Sequence, residues 1–293
     1  MAKLLTGLAV VGVAVSSSAA GGSAKDSLIA FVRQQSAATI GGQIFVMNAD
    51  GSGQRRLTRG PFDNEPAWSP DGAMLVFTHN GEIYAVNANG SGLHLLKSLG
   101  ADSAISPTWS PDGRKIAFSY TAGMGIMNAN GSGQRLLAKE APATLVDYVG
   151  LRWSPDGKKI LFYADSGIGK PSEVFIINAD GNGRLALTRG PDSNETPDWS
   201  PDGKKIIFVR QQSAEALGGE IFVMNADGSG QRSLKTSGYS PAWSRDGKKI
   251  VFGRFQNSFH QLYVMNADGT RQHSLTRGKH DFAPAWQPLL RRG

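Results

Sequence analysis

No cysteine occurs among the 293 residues, which excludes thiol nucleophiles, thiolate metal sites and disulfide exchange. The Gly-x-Ser-x-Gly elbow of α/β hydrolases is also missing. Gly238-Tyr239-Ser240-Pro241-Ala242 comes nearest, but its proline and absent closing glycine defeat the motif. The five histidines, His79, His94, His260, His273 and His280, show no paired metal-ligand spacing. Long apolar runs are scarce. Residues 4–15 form an uncharged, largely apolar stretch between Lys3 and the small residues Ser18, Ala19 and Ala20. That order reads as a secretory signal peptide over residues 1–20, with an uncleaved anchor as the alternative. No other segment is apolar enough to cross a bilayer.

Export without disulfides suits a bacterial envelope or secreted protein whose core is large enough to need no covalent staples. The formal charge is +7, or +6 once Lys3 leaves with the leader. This excess suggests anionic company, such as phosphorylated lipids, wall polymers or an acidic protein; nucleic acid does not fit an exported chain.

What is present is periodic. The tryptophans are Trp68, Trp109, Trp153, Trp199, Trp243 and Trp286, and the first four open the phrase Trp-Ser-Pro-Asp-Gly. The fifth copy has arginine for proline, and the sixth stops at Trp286-Gln287-Pro288. Successive tryptophans are 41, 44, 46, 44 and 43 residues apart, the period of a four-stranded propeller blade. A second phrase, Asn-Ala-Asp/Asn-Gly, keeps time with the first at Asn48, Asn87, Asn128, Asn178, Asn225 and Asn266. Between the phrases lie runs such as Ile116/Phe118, Ile160/Phe162, Ile206/Phe208 and Ile250/Phe252, whose period of two argues strands.

Each unit is expected to hold four strands. Strand A ends at the tryptophan, strand B is the Ile-x-Phe run, strand C runs into the asparagine phrase, and strand D carries the arginine and leucine of segments such as 54–58. Residues 27–33 look like a strand B with no tryptophan phrase ahead, and residues 284–288 end in a tryptophan phrase with no strand B behind. The expectation is therefore an all-β, six-bladed β-propeller of four-stranded blades, its ring closed by the C-terminal strand completing the first blade. Boundaries follow: signal peptide 1–20, linker 21–26, propeller 27–288 and tail 289–293. A monomer is expected.

At these phrases the chain resembles the TolB-type β-propeller family of WD40-like (PD40) repeats, over essentially all of residues 27–288. The resemblance implies a propeller without the α/β domain that precedes it in the family's best-known member. That member is a periplasmic protein of the Tol–Pal envelope system that binds a peptidoglycan-associated lipoprotein through the propeller. Similar repeats also form the propellers of prolyl-oligopeptidase-like enzymes, which need a separate hydrolase domain.

The A–B and C–D turns are short and alike, whereas the B–C and D–A loops vary; binding residues belong with the variable loops. The D–A loops supply Asp63, Asn64 and Glu65, then Asp147 and Tyr148, Asn194 and Glu195, Tyr239, and Asp281 with Phe282. Acids and aromatics around a channel mouth suit capture of a peptide, a sugar or a cation, although Asp and Asn at such places also simply shape turns. No cofactor is expected; a channel cation held by Asp63, Glu65, Glu195 and Asp281 is the weaker proposal. Lysine pairs at 158–159, 204–205 and 248–249 and strand D residues Arg56, Arg135 and Arg232 read as solubilising and edge-guarding groups. The functional expectation is a non-catalytic, periplasmic or secreted binding module. Its partner is an envelope protein or lipoprotein, or a wall-derived peptide or glycan. The alternative is a propeller enzyme, a metal-dependent polysaccharide lyase or hydrolase, acting at the channel.

Overall fold

The Trp-Ser-Pro-Asp-Gly phrase builds the same hairpin each time it occurs. Gly72 N–H donates to Ser69 O at 2.8 Å, and Asp71 Oδ1 accepts from Ser69 Oγ at 2.5 Å and Ala73 N–H at 3.0 Å. The set recurs around Asp112, Asp156, Asp202 and Asp246. The serine hydroxyl chiefly holds Asp71, Asp112, Asp156 and Asp202 below the usual carboxylate range. A computed structural model describes residues 27–35, 41–100, 103–120, 123–139, 149–165, 170–212 and 218–288. The expected leader, linker and tail lie outside the described residues.

The chain opens with β1 (Leu28–Gln34), β2 (Gln43–Asn48) and β3 (Arg55–Arg56). A four-stranded antiparallel blade follows, made of β4 (Asp63–Trp68), β5 (Met74–His79), β6 (Glu82–Asn87) and β7 (His94–Lys97). The next comprises β8 (Ile105–Trp109), β9 (Lys115–Tyr120), β10 (Gly123–Asn128) and β11 (Arg135–Lys139). Another holds β12 (Val149–Trp153), β13 (Lys159–Asp165), β14 (Ser172–Asn178) and β15 (Leu185–Ala186). Then come β16 (Ser193–Trp199), β17 (Lys205–Gln211), β18 (Gly219–Asn225), β19 (Arg232–Trp243), β20 (Lys249–Gln256), β21 (Phe259–Asn266) and β22 (His273–Ser274). The last strand, β23 (His280–Trp286), pairs with β1, so one blade has the order β23-β1-β2-β3.

The expected six-bladed count is corrected by these ladders. They form five sheets, four of them separate four-stranded blades and the fifth a seven-stranded sheet ordered β16-β17-β18-β19-β20-β21-β22. The cause is β19. At the other junctions the outer strand of one repeat and the inner strand of the next belong to different sheets, but Arg232–Trp243 runs through as one strand. Its first half pairs with β18 (Val223↔Arg232, Gly219↔Gly238) and its second half with β20 (Tyr239↔Gly253, Trp243↔Ile250). Glycine sits at the crossing because a Cβ on Gly238 would lie 2.6 Å from the Phe252 ring and 2.7 Å from Gly253 O.

The core lies between sheets. Phe31, Phe77, Phe118, Phe162, Phe208 and Phe252, one from each strand B, are fully buried, each contributing about 2–3 kcal/mol of apolar burial. Ile29, Phe31 and Met47 from the first blade pack with Val251, Leu262, Val264 and Leu275 from the far end of the chain. The C–D turns press on the preceding repeat in the same sense. A Cβ on Gly181 would meet Leu137 O at 2.1 Å, and one on Gly51 would meet Leu275 O at 2.7 Å.

Candidate functional site

Three residues before each tryptophan the inner strand breaks its ladder. Register shifts fall between Asn64 and Ala67, Ile105 and Thr108, Val149 and Arg152, Glu195 and Asp198, and Tyr239 and Ala242. The β1–β23 ladder shifts at the corresponding point. Each bulge carries a positive φ: +52° at Glu65, +53° at Ser106, +65° at Gly150, +47° at Thr196, +46° at Ser240 and +47° at Ala283. All but Gly150 are non-glycine residues followed by proline, a combination that stores backbone strain.

These residues ring one end of a central channel. Together with Asn64, Tyr163 and Phe282 they line a cavity of about 270 Å³. Hydrogen bonds link neighbouring repeats there. Ser106 N–H donates to Glu65 Oε2 at 2.7 Å, Ser106 Oγ–H donates to Glu65 Oε1 at 3.2 Å, and Gly150 N–H donates to Ser106 Oγ at 3.0 Å. Thr196 Oγ1, on the same wall, is buried without a hydrogen-bond partner. Burial pushes the Glu65 carboxyl up, and the bonds from Ser106 and the charge of Arg152 pull it partly back.

Arg152 lines both this cavity and a second one of about 490 Å³ toward the regular face, which all six tryptophans line. Arg152 Nε stands 3.7 Å from Asp198 Oδ1, and Trp243 N–H donates to Asp198 Oδ2 at 2.9 Å. Burial raises the Asp198 carboxyl to about 6, the largest influence on it, against the opposing pull of Arg152. Trp68 Nε1–H reaches Ala285 O at 3.1 Å, while the other five indole nitrogens are buried without partners. The tryptophans thus pack between repeats and also form the channel wall.

The acids and aromatics singled out from the sequence divide by position. Asn64, Glu65 and Phe282 line the mouth cavity. Asp63, only 2% exposed, sits 2.7 Å from His79 Nδ1, and burial raises its carboxyl. Asn194, 1% exposed, accepts from Arg210 Nε at 2.9 Å and donates to Glu173 Oε2 at 3.1 Å. Asp281, fully buried, accepts from Arg33 Nε at 2.6 Å and Nη2 at 2.8 Å. These three bind the end of strand B rather than the opening. Glu195 is half-buried in β16, its carboxyl pushed up by burial and by the charge of Asp165. Tyr239 lies beside the mouth, its hydroxyl 2.9 Å from His260 Nδ1. Asp147 and Tyr148 lie outside the described residues. Among the described residues no three His, Asp or Glu side chains gather as metal ligands.

Sequence reasoning missed Arg152 and Asp198. The signal was there: the residue directly before each tryptophan is Ala67, Thr108, Arg152, Asp198, Ala242 or Ala285. Charge enters only at two successive repeats.

The sequence profile of the TolB beta propeller domain matches residues 19–145 and 147–290. Among solved structures, the chain is similar to TolB from Acinetobacter baumannii. Their TM-score is 0.77 at 21% identity, covering 91% of this chain and 68% of that one. It is also similar to the putative TolB from Agrobacterium tumefaciens, with a TM-score of 0.68 at 21% identity over 90% of this chain and 99% of that one. An oligogalacturonate lyase in complex with manganese shares a TM-score of 0.53 at 15% identity, over 79% of this chain and 69% of that one. At these identities the structural likeness speaks to fold alone. No curated protein sequence matches the chain.

Proposed function

The chain belongs to the TolB beta propeller family, and from that premise we propose that it is a non-catalytic binding module of the cell envelope, engaging its partner over the channel mouth on the variable-loop face. The partner is an envelope protein or lipoprotein, or a wall-derived peptide or glycan. Residues 1–20 act as the export signal, which puts the propeller in the periplasm or outside the cell. The observation that carries this reading is the ring of strained bulge positions around the mouth cavity. Backbone strain clusters at binding sites, and at these positions the side chain changes from repeat to repeat: Glu65, Ser106, Gly150, Thr196, Ser240 and Ala283. Catalysis has less support: both oxygens of Glu65 are engaged by Ser106, which makes this carboxylate a brace rather than a proton acceptor.

A photo-crosslinking amino acid placed at Asn64, on the mouth, or at Lys204, on the regular face, tests the assignment in living cells. The expected result is one discrete envelope adduct from Asn64, none from Lys204, and loss of the Asn64 adduct in Arg152→Glu. Equal adducts from both positions, or none from Asn64, overturn it.

A further inference from the structure

The bulge residues around the mouth are Glu65, Ser106, Gly150, Thr196, Ser240 and Ala283 in chain order. On one side of the ring, the backbone N–H of a bulge meets the side chain of the bulge one repeat earlier. Ser106 N–H donates to Glu65 Oε2 at 2.7 Å, and Gly150 N–H donates to Ser106 Oγ at 3.0 Å. On the other side the pairing stops. Gly150 has no side chain to offer Thr196. Thr196 Oγ1 is buried without a hydrogen-bond partner, so it does not serve Ser240.

Ser106 and Ser240 are the two serines of the set, and their backbones match. Their φ angles are +53° and +46°. The flanking ladder pairs are Ile105↔Ser119 and Thr108↔Ala117 at one, and Tyr239↔Gly253 and Ala242↔Val251 at the other. The same register and the same φ region aim the Ser240 N–H as the Ser106 N–H is aimed, toward the preceding repeat. At Ser106 this seat is filled by a carboxylate of the chain itself. Glu65 Oε2 accepts from the N–H, and Oε1 accepts from Oγ–H at 3.2 Å. Two donors on one residue thus meet both oxygens of one carboxyl group, and bonds to a charged acceptor are the strong kind. At Ser240 the preceding bulge residue is threonine, whose side chain carries no carboxylate.

Ser240, Thr196 and Arg152 line the mouth cavity together. Arg152 Nη1 donates to Leu151 O at 2.8 Å, and Nε stands 3.7 Å from Asp198 Oδ1. A guanidinium so lightly engaged among the described residues has donors to spare for an acid entering the cavity. Ser240 follows Ser106 by three repeats, so a carboxylate seated there stands across the opening from that of Glu65. Separation weakens the repulsion between the two.

We propose that Ser240 seats a ligand carboxylate at the channel mouth, through its backbone N–H and hydroxyl, as Ser106 seats Glu65. The seat rests on the binding-module reading and adds to it the chemical group by which a peptide partner is recognised, a free C-terminus or an acidic side chain. Backbone donors fixed by a strained bulge meet an anion with little further ordering.

The test titrates the full chain, labelled with ¹⁵N, with N-acetyl-alanine, N-acetyl-glutamic acid α-amide and N-acetyl-alaninamide. The first carries a terminal carboxylate, the second a side-chain carboxylate and the third none. At least one of the acids should saturate and shift the Ser240 amide while the Ser106 amide stays in place, and whichever acid binds identifies the source. The alaninamide should be inert. Thr196→Glu sets a carboxylate before Ser240 as Glu65 stands before Ser106, and Ser240→Ala removes the hydroxyl. Each should weaken acid binding by about tenfold or more, the loss of a hydrogen bond to a charged group. No shift from either acid, an equal shift from the alaninamide, or undiminished binding in either variant overturns the seat. If the acids fail while the Asn64 adduct forms, the seat falls and the mouth reading stands. Acid binding without that adduct does the reverse.

Discussion

Asp198 stands directly before its tryptophan, a place filled by alanine or threonine in four of the six repeats. Its carboxyl is raised from 3.8 to about 6, mainly by burial. A raised acid binds a proton in the folded chain that the unfolded chain has already released. Its contribution is therefore most favourable below the unfolded value near 3.8 and is lost as pH rises through about 6. Asp198→Asn removes this dependence while keeping a side-chain oxygen to accept from Trp243 N–H. Between pH 4.5 and 7.5 the variant should gain about 2 kcal/mol relative to the parent, read from urea unfolding at the two pH values. An unchanged difference would remove the titration of Asp198 from the account. The residue scale is also where the sequence was least legible. Strand alternation alone puts Asp63 and Glu65 on one face, but the bulge between Asn64 and Ala67 separates their surroundings. Asp63 turns to His79, and Glu65 to the mouth. The trace of the bulge in the sequence is the proline two residues before the tryptophan, at Pro66, Pro107, Pro197, Pro241 and Pro284, since proline inside a strand marks an edge or a bulge.

At the scale of elements, the turns follow from the sequence directly. Trp-Ser-Pro-Asp-Gly and Asn-Ala-Asp-Gly each carry their own side-chain caps, so the hairpins form from local chemistry. How tightly a turn meets its neighbour does not show in the phrase. Gly181 and Gly90 occupy equivalent turns with φ of +94° and +90°, yet an added Cβ meets Leu137 O at 2.1 Å in one and Leu57 O at 3.4 Å in the other. Gly90→Ala should cost about 1–2 kcal/mol, the left-handed backbone penalty. Gly181→Ala should cost more, about 3 kcal/mol or above, because the backbones must also separate. Thermal unfolding of the two variants checks this, and equal losses would mean that the turn does not lock the repeats together. The joined sheet was hidden for a related reason. The spacing from Trp199 to Trp243 is ordinary, and only the path of the chain through Gly238 shows that the break between strands has gone.

For the molecule as a whole, closure was legible because each end lacks what the other supplies. β23 pairs with β1, and Arg33 of β1 grips Asp281 of β23. Asp281→Ala leaves Arg33 with Gln54 Oε1 as its remaining side-chain acceptor among the described residues and should cost about 3 kcal/mol in urea unfolding. A loss under about 0.5 kcal/mol, the level of an ordinary surface substitution, would make the clasp dispensable. The function of the ring was less legible than its shape, since the repeats announce the scaffold and the mouth is made where they diverge.

The same clasp has a consequence for the order in which the chain matures. Leu28–Gln34 is made early and His280–Trp286 late, so the first blade is the last to be completed. Until then β1 presents an open hydrogen-bonding edge, the kind that captures other chains. A protein emerging N-terminus first must therefore keep this edge unpaired through the synthesis of every other strand. Its vulnerability to misassembly lies in that interval rather than in the finished ring.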